Sequence, residues 1–142
     1  MPVVNFHLLA GQSSPEQDAL LLKGACHLYS EVLQTPLERT RAFITLHEAR
    51  HFAVAGELCS DTRLAAPFFE FMVLDGRPQE ERRRLLFGFT ELLVRTLDVR
   101  SELVRGMCLC VAPGNWGIGG VPASMRRAEE VQARAGKGGH EA

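Results

Sequence analysis

At 142 residues with 46% hydrophobic content, the chain can bury a core as one compact unit or as two very small ones. Its 16 basic and 17 acidic residues leave a net charge of -1, so no basic footprint points to nucleic acid or to a membrane surface. No apolar run approaches the roughly 18 residues of a membrane span and no signal-peptide pattern opens the chain. The four cysteines, Cys26, Cys59, Cys108 and Cys110, form no C-x-x-C pair, and free thiols in a cytoplasmic setting are expected.

The first element in chain order is "VVNFHLLA", a short apolar run closed by a glycine, which suits a buried strand. Ser13 or Ser14, then Pro15 and Glu16, offers a helix cap, a first-turn proline and an acidic first turn. Leu21, Leu22, Ala25, Leu28, Tyr29 and Val32 follow at helical spacing and form one apolar face. "RAFITLH" reads as a second strand. "FFEFMVL", then Leu85, Leu86, Phe89, Leu92, Leu93 and Thr96, then "RGMCLCV" repeat the same succession of strand, helix and strand.

The repetition extends to individual residues. Pro2, Leu9 and Gly11 superpose on Pro67, Leu74 and Gly76. After one extra residue near Ser13, Glu16, Leu21, Leu22, Gly24, Leu28, Leu33, Glu38 and Arg41 superpose on Glu80, Leu85, Leu86, Gly88, Leu92, Leu97, Glu102 and Arg105. Phe52 meets Trp116 further on. Each copy is therefore a βαβ unit with parallel strands and a right-handed crossover. The expected fold is α/β: two tandem βαβ units forming a four-stranded mixed sheet with two helices on one face, a two-layer sandwich. The units are expected at residues 2–60 and 67–124, with a linker at 61–66 and a partly disordered tail at 125–142.

"HEARH", residues 47–51, matches the H-E-x-x-H pattern of zinc hydrolases, whose chemistry needs both histidines on one helical face. The second copy has "VAPGN" at the same place, which no helix interior would carry, so a strand end and a turn are expected there. Neither a metal nor a cofactor is expected.

Two βαβ units, each opening on a proline, resemble the tautomerase superfamily, and most closely a tandem fusion of 4-oxalocrotonate tautomerase. The resemblance rests on "MPVVNFHLLAG", "LDGRPQEE", the arginines in "TRAFIT" and "VRGMCL", and the aromatic with small residues in "HFAVAGE" and "NWGIGGV". It implies an isomerase in which Pro2, freed by removal of Met1, is the general base. The chemistry is coherent in itself. A proline within a chain has its nitrogen in an amide, whereas a terminal one is a secondary amine. The reference pKa of a terminal amine, about 7.7–8.0, falls further when burial beside arginines disfavours the cation.

The resemblance also implies one competent pocket per chain. The turn after the first strand reads "AGQ" with Gln12, but "DGR" with Arg77 in the second copy. The family's arginine at this position grips a substrate carboxylate beside the partner unit's proline, so Pro2 is expected to face Arg77, and Pro67 to face Gln12. Arg105, from a neighbouring chain, would hold a carboxylate and the adjacent oxygen. Trp116, with Leu74 and Ile118, would wall the pocket, while Arg41 and Phe52 would line the second, silent one. Arg127 is a further pocket candidate.

Departures from related enzymes narrow the chemistry. Arg39 stands where decarboxylases of the superfamily carry an aspartate, and no acid lies at Trp116 to Ile118, where dehalogenases carry a glutamate. His7 is expected to be a strand side chain. The resemblance implies a homotrimer, since family hexamers contain six units. The expected substrate is a 2-hydroxydienoate or 2-oxo acid. Dehalogenase, decarboxylase, zinc hydrolase and a silent acid-binding trimer are the alternatives.

Overall fold

The computed structural model describes residues 2–126. Strand β1 (Val3–Leu9) leads into helix α1 (Pro15–Leu33) and strand β2 (Arg41–His47). A two-residue hairpin, β3 (Ala53–Val54) and β4 (Glu57–Leu58), and a one-turn helix, α2 (Cys59–Thr62), close the first half. The second half repeats the order with β5 (Phe68–Leu74), α3 (Gln79–Leu97), β6 (Arg105–Val111), the hairpin β7 (Gly117–Ile118) and β8 (Val121–Pro122), and α4 (Ala123–Arg126).

The sheet order is β2-β1-β5-β6. Each half contributes a parallel pair, β1 with β2 and β5 with β6, and the halves meet along the antiparallel β1–β5 seam. The fold is thus the two-layer α/β sandwich expected from the repeat. Alternation explains which face each strand buries, because successive side chains point to opposite faces. Val4, Phe6 and Leu8, together with Phe69, Phe71 and Val73, lie under the helices in the core. The apolar stripes supply the facing layer through Leu21, Ala25, Tyr29 and Val32 from α1 and Leu85, Phe89, Leu92 and Leu93 from α3.

Ser14 is the cap of α1. Its hydroxyl accepts from the Gln17 amide while the Gln17 side chain accepts from the Ser14 amide, a reciprocal box that satisfies two otherwise orphaned donors. The helices cross at matched glycines. A Cβ on Gly24 would lie 3.0 Å from Leu92, and one on Gly88 would lie 2.6 Å from Leu28, so each glycine receives the other helix's leucine. The Tyr29 hydroxyl, buried at the seam, lies 2.8 Å from the Val3 carbonyl and 3.0 Å from that of Met72. Burial pushes this phenol far above its ordinary range, so it remains a donor.

The open face of the sheet carries the other alternating set. Phe43, Met107 and Leu109 are exposed there in the single chain. A polar chain crosses three strands of this face: Glu70 Oε1 lies 2.9 Å from His7 Nε2, and His7 Nδ1 lies 2.8 Å from His47 Nε2. His7 is therefore a strand side chain with partners on both sides. The "HEARH" stretch is a strand end followed by a 3-10 turn at Ala49–His51, so its histidines share no helical face.

Candidate active site

The antiparallel seam sends the two halves' turns to opposite ends of the sheet. Val3 pairs with Met72, which places Pro2 beside the exit of β5, where Leu74 and the turn bearing Arg77 follow. Pro2 is buried, and its carbonyl accepts the Arg41 amide at 2.9 Å. The exit of β6 reaches the same end, because Val111 pairs with Leu74 and its carbonyl accepts the Asp75 amide at 2.9 Å. The loop and hairpin that carry Trp116 and Ile118, both half-buried, start from there. Pro2, Arg41, Leu74 and Arg77 and the strand exit that leads to Trp116 and Ile118 are thus gathered at one end.

Pro67 occupies the pseudo-symmetric place at the opposite end. It is fully buried, with its nitrogen in an amide, and its carbonyl accepts the Arg105 amide at 3.1 Å. Gln12, in the turn after β1, lies at this end, and its buried Oε1 has no hydrogen-bond partner among the described residues. Phe52 comes to the same end through the turn after His47, whose ring it meets edge-on at 6.0 Å. One end of the sheet therefore combines a proline at the start of the chain with an arginine turn, and the other an internal proline with a glutamine turn.

Arg105 is not brought to Pro2 within one chain. It pairs with Phe68, which pairs in turn with His7, five residues along β1 from Pro2. That separation is about 16 Å along the strand alone. Arg41 and Arg105 are held alike: Nη1 of Arg41 donates to the carbonyls of Glu38 and Thr40, and Nη1 of Arg105 to those of Glu102 and Val104. Both side chains are exposed at the corners of the open face.

Arg77 is more constrained. Its Nη1 donates to the Leu33 carbonyl, in the last turn of α1, at 2.9 Å and lies 3.3 Å from Glu81 Oε1. The α1 carbonyl and the carboxylate together orient the guanidinium, since helix C-termini attract cations. Sequence reasoning did not single out Glu81. Its signal is the four-residue spacing from Arg77. Arg39 lies in the 3-10 turn at Leu37–Arg39, and Arg127 falls outside the described residues. Among the described residues no group of three or more His, Cys, Asp or Glu is placed to hold a metal ion, and no helix is long and apolar enough to cross a membrane.

A two-layer fold of tandem βαβ units, with a proline and an arginine turn at one end of the sheet, fits the resemblance to the tautomerases carried by the sequence. The chain belongs to the tautomerase family. The family described as Tautomerase enzyme matches residues 2–62. A 2-hydroxymuconate tautomerase of Pseudomonas putida is 36% identical over 63 residues, covering 44% of this chain and 98% of that protein. One from Pseudomonas fluorescens is 36% identical over 58 residues, covering 41% of this chain and 92% of that protein.

Among solved structures, native fused 4-OT superposes with a TM-score of 0.80 at 23% identity, over 87% of this chain and 97% of that one. A fused 4-OT described as a symmetric trimer superposes with a TM-score of 0.77 at 22% identity, over 86% of this chain and 96% of that one. Another, described as an asymmetric trimer, reaches 0.79 at 22% identity, over 87% of this chain and 98% of that one. These likenesses establish a fused tautomerase fold, and the family establishes a tautomerase-type function.

Proposed function

We propose that the protein is a cofactor-independent tautomerase in which the nitrogen of Pro2, freed by removal of Met1, moves a proton within a 2-hydroxydienoate or 2-oxo acid. The observation that carries the proposal is the pairing of Pro2 with the Arg77 turn at one end of the sheet, against Pro67 with Gln12 at the other. A secondary amine enclosed by apolar groups and guanidiniums has its cationic form disfavoured, and so serves as a base near neutral pH.

The base takes the proton of the 2-hydroxyl. The oxygen becomes a carbonyl as the electron pairs shift along the diene, and the ammonium so formed returns a proton to the distal carbon. Arg77 binds the end of the substrate nearest its turn. Arg105, or its counterpart Arg41, supplied by a neighbouring copy, holds the carboxylate and stabilises charge developing on the adjacent oxygen. Trp116, Leu74 and Ile118 wall the pocket and keep water out, while Phe52 belongs to the silent end. The exposed guanidinium corners and apolar open face suit a homotrimer in which each copy completes its neighbour's pocket.

The test is an ultraviolet assay with 2-hydroxymuconate and enol-phenylpyruvate, combined with the intact mass of the protein. Activity in a protein lacking Met1, lost by about a hundredfold or more in Pro2→Ala and retained in Pro67→Ala, is the expected result. Equal activity in the two variants, or full activity with Met1 attached, would overturn it.

A further inference from the structure

The two repeats differ at one more place beside the site. Gln17 and Glu81 occupy equivalent positions, in the first turns of α1 and α3. Gln17 is a neutral amide whose Nε2 donates to the Thr96 carbonyl at 3.1 Å, at the far end of α3. In the second repeat Arg77 makes the corresponding contact, to the Leu33 carbonyl in the last turn of α1, and Glu81 places a carboxylate 3.3 Å from the same guanidinium. An acid therefore stands beside the proposed carboxylate-binding arginine, at a position where the other repeat carries an amide.

Neither member of this pair is deeply buried, with side chains 36% and 25% exposed, yet the pair is local and nearly neutral as a unit. A substrate carboxylate brought to Arg77 must share the guanidinium with Glu81 and lie within a few ångströms of another anion. Like charges at that separation repel appreciably wherever solvent is partly excluded. A hydrocarbon or uncharged polar end meets no such penalty. The guanidinium that the proposed site takes from the neighbouring copy can neutralise one carboxylate.

We infer that Glu81 sets the substrate class, so that the site takes 2-hydroxydienoates or 2-oxo acids with a single carboxylate in preference to dicarboxylates. This rests on the proposed tautomerase site, because it assigns Arg77 to the substrate's far end. Glu81 acts through Arg77 and is a specificity-determining residue, with no role in the proton transfer itself.

The experiment compares 2-hydroxymuconate, with two carboxylates, and 2-hydroxy-2,4-pentadienoate, with one, in the wild type, Glu81→Gln and Glu81→Ala. The readout is the ratio of kcat/KM for the two substrates. Calorimetric binding of hexanedioate and hexanoate to the same proteins gives a second ratio that does not depend on turnover. The wild type should favour the monoacid in both, and Glu81→Gln should move both ratios about tenfold or more towards the diacid. Ratios unmoved by either substitution, or a wild type that already prefers the diacid by that factor, overturn the inference. If no substrate is turned over while the binding ratio shifts as stated, the tautomerase reading fails and the role of Glu81 stands. If turnover persists but neither ratio moves, the reverse holds.

Discussion

Arg77 shows how a single side chain can be fixed by the fold before any ligand arrives. Its Nη1 is held by the Leu33 carbonyl and by Glu81, so the guanidinium is oriented rather than swinging in solvent. Replacing it with glutamine, the residue the first repeat carries at Gln12, removes a charge-assisted contact worth about 1.5–3 kcal/mol. Arg77→Gln should therefore lower kcat/KM for 2-hydroxymuconate, the substrate with a second carboxylate to place at this end, by about ten- to a hundredfold in the same ultraviolet assay. Arg77→Lys should not restore it, because an ammonium cannot reproduce a planar fork. The difference at this turn was legible in the sequence, since "AGQ" and "DGR" break an otherwise repeated frame. Glu81 was not, because its meaning depends on which way the arginine turns, and that is decided by a carbonyl 44 positions away in the chain.

At the scale of elements, the strands and helices follow closely from periodicity. The residues spaced along one face of α1 and α3 include those the core buries, among them Leu21, Ala25, Leu85 and Phe89. The hairpins β3–β4 and β7–β8 escaped the reading because strands of two residues carry no period to detect. The Glu70–His7–His47 chain escaped for another reason: it spans three strands, and only the register brings its members together. Gly106 is a sharper case. In β6 it pairs with Phe69, and a Cβ there would run into the ring's Cζ. The ring fills the space that a side chain would need, and its own cage of Phe6, Phe71 and Phe89 leaves it little room to shift. Gly106→Ala should destabilise the fold by about 1–3 kcal/mol, read as a lower midpoint in chemical denaturation.

At the scale of the molecule, the helices cover one face of the sheet and leave Phe43, Met107 and Leu109 exposed on the other. The proposed assembly places those residues between copies. Native mass spectrometry and sedimentation at micromolar concentration should therefore give three times the 15.7 kDa chain mass. Phe43→Glu with Leu109→Glu should yield monomers that have lost activity. A monomer retaining full activity would rule out a pocket completed by a neighbour.

The seam between β1 and β5 bears on the end of the sheet proposed to be silent. The halves are held together by backbone pairing and a shared core, so the peptide link ahead of Pro67 is a tether more than a structural member. Severing the polypeptide there would turn an inert ring into an amine terminus already seated in its recess. Of the two handicaps at that end, one is chemical, lodged in a single covalent bond, and the other is the identity of residue 12. A split protein carrying Gln12→Arg would have both restored, and its two ends would become equivalent in kind.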